Sequence, residues 1–282
     1  RRQRFLAHNC ASSPEVLTAF TKAWLDRVMT SAWLIDMDGV LVHEGIALDG
    51  AKEFLNRLEE KEIPHLILTN NSIFTTRDLS ARLASSGLNV PAERIWTSAL
   101  ATAKFLASQT DNKRAYVLGE AGMTTALYEE GFIMSADRPE FVVLGETRTY
   151  SFEAITKAIR LIQGGARFIA TNPDATGPSA QGDIPATGAV AAMIEKATGR
   201  SPFFVGKPNP VMLRNGLNKI GAHSEETSIV GDRMDTDIQA GVETGLTTHL
   251  VLTGSTKEAE IGNFPYRPDF VHPSIAEVIE FV

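Results

Sequence analysis

Short apolar runs alternate with longer amphipathic segments along most of the chain. Runs such as Leu66-Ile67-Leu68 and Phe141-Val142-Val143-Leu144 contain no polar residue, which is typical of parallel strands buried on both faces. The segments between the runs carry apolar residues at helical spacing, and several end at a glycine, a common helix C-cap. This alternation predicts an α/β protein with a doubly wound parallel sheet.

The predicted elements follow one another in a regular order. Strands are predicted at 33–36, 64–69, 94–97, 115–119, 141–145, 167–171, 203–206, 227–231 and 248–252. Helices are predicted at 50–60, 76–86, 98–108, 122–130, 151–163, 187–198, 209–220, 235–243 and 274–281. Residues 1–30 precede this pattern as an N-terminal extension. An apolar residue recurs there at every fourth position from Val16 to Val28, which predicts an amphipathic helix at about 15–28.

The spacing of the polar segments that follow the strands predicts two domains. One such segment ends near Asn71 and the next begins at Lys207, a separation far longer than the roughly 30 residues of one βαβ unit. The stretch between them contains three further predicted strands, each followed by a helix. We therefore predict a Rossmann-like core formed by 31–111 and 202–282, interrupted by an inserted α/β cap domain at 112–201. Such an insert can close over a ligand as a lid.

Composition and charge narrow the choice of partners. The chain has 282 residues, a net charge of −7 and a single cysteine, Cys10. An acidic surface argues against a nucleic-acid polymer, which would require a basic stripe. One cysteine excludes an internal disulfide and suits a reducing compartment, so we predict a cytoplasmic protein. No window approaches the length and apolarity of a membrane span, and the oligomeric state is left open.

Two carboxylates, those of Asp36 and Asp38, lie two residues apart at the end of the first predicted strand. Residues at this spacing point to the same side of a strand, at the edge where open α/β sheets bind ligands. Two such close negative charges require a cation between them or a proton on one of them. A hard divalent metal satisfies this requirement, as does a division into one nucleophile and one acid–base catalyst. The alternative is that Asp36 and Asp38 lie in a surface turn, where aspartate is common.

Two further polar segments follow predicted strands. Thr69 and Asn70 offer a hydroxyl and an amide suited to a phosphate oxygen, although asparagine is also common in turns and at helix N-caps. Gly206 allows a tight turn before Lys207. This lysine is a candidate site residue, and the alternative is that it is an ordinary solvated side chain.

The last polar segment is acidic. Asp232 directly follows a buried strand, and Asp235 and Asp237 lie at the start of the next predicted helix. Acidic residues in a first helical turn can simply complement the helix dipole, and this explanation is sufficient for Asp235.

In this order, the four segments resemble the motifs of the haloacid-dehalogenase superfamily of aspartate-nucleophile phosphatases. The resemblance is closest to the NagD-like branch (class IIA), in which the cap is inserted between the second and third motifs. It covers about 31–282 and includes three further segments. These are Leu144-Gly145-Glu146-Thr147-Arg148, Ala170-Thr171-Asn172-Pro173-Asp174 and Ala222-His223-Ser224-Glu225-Glu226-Thr227.

The resemblance implies a role for each motif residue. Asp36 would be the nucleophile that forms an aspartyl-phosphate, and Asp38 the general acid and then the base that activates water. Mg²⁺ would be bound by Asp36, the backbone carbonyl of Asp38, and Asp232. Asp237 would support the metal or the lysine from behind. Substrate and phosphate contacts would be made by Asp38, Thr69, Asn70, Lys207, Arg233, Met234, Asp235 and Thr236.

Four cap residues lie just past predicted strands and are candidates for facing the cleft, although each is equally explained as a turn residue. They are Glu146, Arg148, Asn172 and Asp174. Arg148 is suited to a negatively charged or carbonyl-rich leaving group. We expect specificity to reside in the cap and the chemistry in the core.

The resemblance thus predicts a Mg²⁺-dependent phosphomonoesterase of small phosphorylated metabolites, with nucleoside monophosphates such as UMP preferred. A phosphatase for a sugar phosphate or pyridoxal phosphate is the alternative enzyme. An inactive regulator that binds a phosphorylated metabolite is the non-enzyme alternative. The presence of Asp36, Asp38, Lys207 and Asp232 argues against the regulator, because a scaffold without activity has no need for a general acid.

Overall fold

The computed structural model describes residues 31–177 and 182–282, so the helix predicted at 15–28 lies outside the described residues. Two large parallel sheets flanked by helices confirm the predicted α/β fold class. None of the helices in these two ranges is both long and apolar enough to cross a membrane.

The bounds of the elements are close to those predicted. The strands are β1 (Ala32–Asp36), β2 (Val42–His43), β3 (Ile46–Ala47), β4 (His65–Thr69), β5 (Ile95–Thr97), β6 (Arg114–Leu118), β7 (Ile133–Met134), β8 (Phe141–Leu144), β9 (Arg167–Ala170), β10 (Thr176–Gly177), β11 (Ile184–Pro185), β12 (Phe203–Phe204), β13 (Thr227–Gly231), β14 (Thr247–Val251) and β15 (Phe270–His272). The α-helices are α1 (Ala51–Glu60), α2 (Thr76–Ser85), α3 (Ser98–Ala107), α4 (Ala121–Glu129), α5 (Phe152–Gln163), α6 (Thr187–Thr198), α7 (Pro210–Ile220) and α8 (Gln239–Thr244).

The main sheet has six strands in the order β15-β14-β13-β1-β4-β5, and all neighbours are parallel. β1 lies between β13 and β4, and its residues Trp33, Leu34 and Ile35 are fully buried. Because all six strands are parallel, their carboxyl ends meet at one edge. The polar segments after β1, β4 and β13 therefore lie side by side.

The second sheet has five parallel strands in the order β12-β9-β8-β6-β7. One of its strands corrects a predicted boundary. β12 was assigned to the core segment 202–282, but Phe203 pairs with Ile169 and Phe204 with Ala170. The apolar run there extends the edge of the cap sheet, so the chain returns to the main sheet only after it. We propose that each sheet forms one domain and that the inserted domain ends near residue 204.

The segment after β13 differs from the helix predicted at 235–243. It begins as a π-helical turn, Met234–Ile238, and continues as α8. The N–H of Ile238 donates to the carbonyl of Arg233, five residues back. Such turns add one residue to the helical repeat and are frequent at functional sites. The helix predicted at 274–281 is likewise a 3₁₀ helix, Ile275–Phe281.

Two histidines, His249 in β14 and His272 in β15, are buried in the outer part of the main sheet. His249 Nδ1 and His272 Nε2 are 3.0 Å apart, so one ring donates to the other. The ring of His249 also lies 4.8 Å from that of Phe270 and 5.0 Å from that of Trp33. Burial and the neighbouring His272 lower the pKa of His249 to about 3. Both rings therefore favour the neutral form in the folded protein.

We expect this histidine pair to make stability fall in mild acid. His249 stays neutral in the folded chain down to about pH 3, whereas an unfolded histidine binds a proton near pH 6.5. The unfolded state therefore gains stability as the pH falls below 6.5. Between pH 7 and pH 5 the free energy of unfolding should drop by roughly 2 kcal/mol more in the wild type than in His249→Gln. Equal pH slopes for the two proteins, measured by urea unfolding, would contradict this expectation.

Candidate active site

Lys207 is the centre of the cluster at the carboxyl edge of the main sheet. Its Nζ donates to Asp36 Oδ1 at 2.5 Å and to Asp237 Oδ1 at 2.6 Å. Lys207 is only 3% exposed and Asp237 is fully buried. Burial alone would lower the pKa of Lys207, but the charges of Asp237 and Asp36 outweigh it and raise the pKa. The lysine therefore remains an ammonium ion.

Three carboxylates surround this ammonium ion. Those of Asp36, Asp232 and Asp237 each offer an oxygen, and these oxygens all lie within 4.8 Å of one another. Burial, and then the negative charge of Asp237, raises the pKa of Asp36 well above its ordinary value and also raises that of Asp232. Lys207 alone cannot balance three carboxylates, so the site attracts a further cation. An all-oxygen donor set suits a hard divalent metal ion.

Asp237 has both oxygens engaged by the protein. Oδ1 accepts from Lys207, while Oδ2 accepts from the backbone N–H of Arg233 at 3.3 Å and from the hydroxyl of Thr236 at 3.2 Å. The π turn directs this carboxylate inward beneath the lysine. Asp237 thus lies next to both the lysine and the other carboxylates.

A loop that we did not predict to belong to the site positions Asp232. The backbone N–H of Ser255 donates to Asp232 Oδ2 at 2.6 Å. A Cβ atom added to Gly254 would lie 2.0 Å from the same oxygen, and one added to Gly39 would lie 2.7 Å from it. Two glycines thus leave room for the carboxylate. Gly254 follows a predicted strand, so the criterion that identified the other segments would have found it.

Asp38 projects into the cleft. Unlike the carboxylate of Asp36, which is buried, that of Asp38 is open to solvent. The surrounding protein still removes enough of its hydration to raise the pKa, while the charges of Lys207, Arg82 and His43 act in the opposite direction. A raised pKa favours the protonated form that a general acid requires. Arg82 and His43 were not predicted, because neither directly follows a strand of the main sheet.

Asn70 bonds to neighbouring parts of the protein, and Thr69 accepts one hydrogen bond from the backbone. Asn70 Nδ2 donates to Asp174 Oδ2 and to the carbonyl of Lys207, both at 3.0 Å, and Oδ1 accepts from the N–H of Lys207 at 2.8 Å. These bonds use both amide hydrogens, so the side chain has no donor left for a phosphate. The buried hydroxyl of Thr69 accepts from the N–H of Asn71 at 3.1 Å.

The side chains after Asp232, predicted to contact substrate, mostly have partners within the protein. Arg233 pairs with Asp235 through Nε and Nη2 and with Asp174 through Nη1 at 2.9 Å. The side chain of Met234 is fully buried next to Ile238 and Leu250, which assigns it to packing rather than to substrate contact. Thr236 is also buried and bonds to Asp237.

The four cap candidates separate into two groups. Asn172 and Asp174 bond to the core, since Asn172 Nδ2 donates to the carbonyl of Asn70 at 3.0 Å. Glu146 is half-buried and Arg148 is exposed. Burial raises the pKa of Glu146, the negative charge of Asp174 and, to a smaller extent, Asp38 raise it further, and Arg148 lowers it. Glu146 is thus close enough to Asp174 and Asp38 for their negative charges to raise its pKa.

The chain matches a family of hydrolases. A family profile described as haloacid dehalogenase-like hydrolase matches residues 33–133, and a HAD-hydrolase-like profile matches residues 204–278. The dihydroxyacetone phosphatase of Corynebacterium glutamicum is 60% identical over 88% of this chain and 90% of its own. The ribonucleotide monophosphatase NagD of Escherichia coli is 48% identical over 87% of this chain and 96% of its own. The solved structure of NagD from Escherichia coli K-12 superposes with a TM-score of 0.84 at 46% identity, covering 88% of this chain and 98% of that one.

The chain belongs to the haloacid dehalogenase-like hydrolase family, as a phosphatase of its NagD-like branch. The resemblance inferred from the four motifs is thereby confirmed. The reaction class, hydrolysis of a phosphoric monoester, is confirmed with it.

Proposed function

We propose that the protein is a Mg²⁺-dependent phosphomonoesterase that acts through an aspartyl-phosphate on small cytoplasmic metabolites. The observation that carries this proposal is the buried cluster of Asp36, Lys207 and Asp232, with the exposed Asp38 two residues beyond Asp36. A phosphoryl group needs an in-line nucleophile and concentrated positive charge; Asp36 would be the nucleophile, and Lys207 together with a bound divalent ion would supply the charge. The single cysteine is the basis for the proposed compartment.

The residues divide the two chemical steps between them. The Asp36 carboxylate attacks phosphorus and the bond to the leaving oxygen breaks, while Asp38 donates its proton to that oxygen. Asp38 then accepts a proton from the water that attacks the phosphoenzyme, and the bond from phosphorus to Asp36 breaks. Lys207 holds Asp36 in place and offsets part of the negative charge on the phosphoryl oxygens.

The donor set fits Mg²⁺, which prefers carboxylate and carbonyl oxygens. Asp36, Asp232 and the backbone carbonyl of Asp38 would hold it. When bound, the ion supplies positive charge to the phosphoryl oxygens and balances the carboxylates around Lys207.

Nucleoside monophosphates such as UMP are one proposed substrate class, supported by the similarity to a ribonucleotide monophosphatase. A small sugar-type phosphate is the second, supported by the relative named for dihydroxyacetone phosphate. The described cap loops after β6, β8 and β9 favour the second class. Their only aromatic ring is that of Tyr150, whose hydroxyl donates to the carbonyl of Gly145 at 2.7 Å. These loops thus offer polar groups such as Glu146 rather than a ring on which a base can stack.

Turnover should require a divalent ion. We expect p-nitrophenyl phosphate hydrolysis to vanish in excess chelator and to return with Mg²⁺, because the carboxylates otherwise repel both one another and the phosphate. A panel of phosphorylated metabolites under the same conditions would then rank UMP against triose and hexose phosphates by kcat/KM. Full activity in chelator, with the absence of metal verified by elemental analysis, would refute the proposal.

A further inference from the structure

One carboxylate of the inserted domain reaches into the core. Asp174, on the loop after β9, accepts from Arg233 Nη1 at 2.9 Å through Oδ1 and from Asn70 Nδ2 at 3.0 Å through Oδ2. Its side chain is 14% exposed. Both donors belong to segments of the main sheet, so this contact exists only when the cap is seated on the core.

Asn70 connects Asp174 to Lys207 through hydrogen bonds. Its amide nitrogen carries two hydrogens, one of which goes to Asp174 and the other to the carbonyl of Lys207. Its oxygen accepts from the N–H of the same lysine at 2.8 Å. The amide thus bonds to both backbone groups of the lysine, and the acceptor from the cap fixes its remaining hydrogen. Without that acceptor, the part-buried amide loses one of its three hydrogen bonds, and its hold on Lys207 is weaker.

Neighbouring contacts between the inserted domain and the core restrict the movement of the Asp174 carboxylate. Close by, the N–H of Gly206 donates to the carbonyl of Thr171 at 2.7 Å, and a Cβ added to Gly206 would lie 2.4 Å from the same carbonyl. The N–H of Glu146 donates to the hydroxyl of Ser72 at 2.9 Å. The loop that carries Asp174 is therefore held against the strand ends of the core.

We propose that Asp174 is a positioning residue that couples the seating of the cap to the placement of Lys207, acting through Asn70. This inference rests on the proposed phosphatase function. It assigns to Asp174 a role different from leaving-group recognition. Loss of the carboxylate should slow every substrate, including one whose leaving group needs nothing from the cap.

Steady-state kinetics of the Mg²⁺-loaded enzyme with p-nitrophenyl phosphate and UMP tests this inference. In Asp174→Ala we expect kcat to fall about tenfold on both substrates, with KM changed less than threefold and an unchanged melting temperature. Asp174→Asn keeps one acceptor oxygen for Asn70 and should recover to within about threefold of the wild type. Asp183→Ala removes an exposed cap carboxylate and should behave as the wild type.

A double-mutant cycle identifies the route of the effect. In an Asn70→Ala background, Asp174→Ala should cost less than about twofold, because its intermediary is already missing. In an Arg233→Ala background, Asp174→Ala should keep most of its effect on kcat. The inference is overturned if Asp174→Ala affects UMP alone, if its effect persists in Asn70→Ala, or if it disappears in Arg233→Ala. A wild type without turnover in Mg²⁺ would instead refute the phosphatase proposal itself.

Discussion

Asp36→Asn is expected to abolish turnover, by roughly 10⁴-fold or more, because an amide cannot form the phosphoenzyme. The substitution keeps the size of the side chain but removes the charge that holds Lys207 at 2.5 Å. It also removes one of three buried like charges, so we expect the folded protein to be no less stable. Loss of kcat with an intact melting curve, measured on p-nitrophenyl phosphate, is the result that the proposed nucleophile predicts.

Asp38→Asn provides the matched comparison, because it alters the other carboxylate of the pair. p-Nitrophenolate leaves with little need for a proton, so the phosphoenzyme should still form, but its hydrolysis should be slow without a base. Rapid mixing should therefore show a burst of nitrophenolate that approaches one equivalent per enzyme. Near-normal kcat in Asp36→Asn, or no burst in Asp38→Asn, would point to direct attack by water.

Gly254→Ala should weaken Mg²⁺ binding by about 10- to 100-fold, the usual cost of disturbing a residue behind a metal ligand. The new Cβ would lie 2.0 Å from Asp232 Oδ2, an impossible distance, so the carboxylate or the loop must move. The N–H of Ser255, which orients the same oxygen, would move with the loop. The Mg²⁺ concentration that gives half-maximal activity measures the effect, and calorimetric titration with Mg²⁺ alone measures it without turnover.

Gly262→Ala is the control for this substitution. It lies on the 3₁₀ helix that follows the same loop, and its added Cβ would meet no heavy atom within 4 Å. It should bind Mg²⁺ like the wild type. An unchanged Mg²⁺ requirement in Gly254→Ala would mean that Asp232 is not oriented by this loop.

The pattern of apolar and polar residues was sufficient to locate most helices and strands, because a strand buried in a parallel sheet is a short continuous apolar run. Runs such as 227–231 were placed residue for residue. Three elements of two or three residues, β2, β7 and β15, were not predicted, because such short strands leave little periodicity to detect. The π turn at Met234–Ile238 was not predicted either; it carries Asp237, whose Oδ1 accepts from Lys207, 30 positions away in the chain.

Some predicted site residues proved to have partners within the protein. Asn70 offers its amide to Lys207 and Asp174, and Met234 is packed in the core, although both follow strands as the motif requires. Position after a strand tells that a residue lies at the active edge of the sheet. It does not tell which way the side chain points, because that depends on neighbours far away in the chain.

The sequence by itself determined the fold class and the two-carboxylate motif, because each depends on residue type and short spacing, and its resemblance to a known family implied the reaction class. Only the tertiary structure decided that Gly254 makes room for Asp232 and that Asp174 reaches Asn70 from the cap. Residues 70 and 174 are 104 positions apart in the chain. Contacts over such separations depend on strand order and on how one domain is seated on the other, and no local pattern of hydrophobic and polar residues records them.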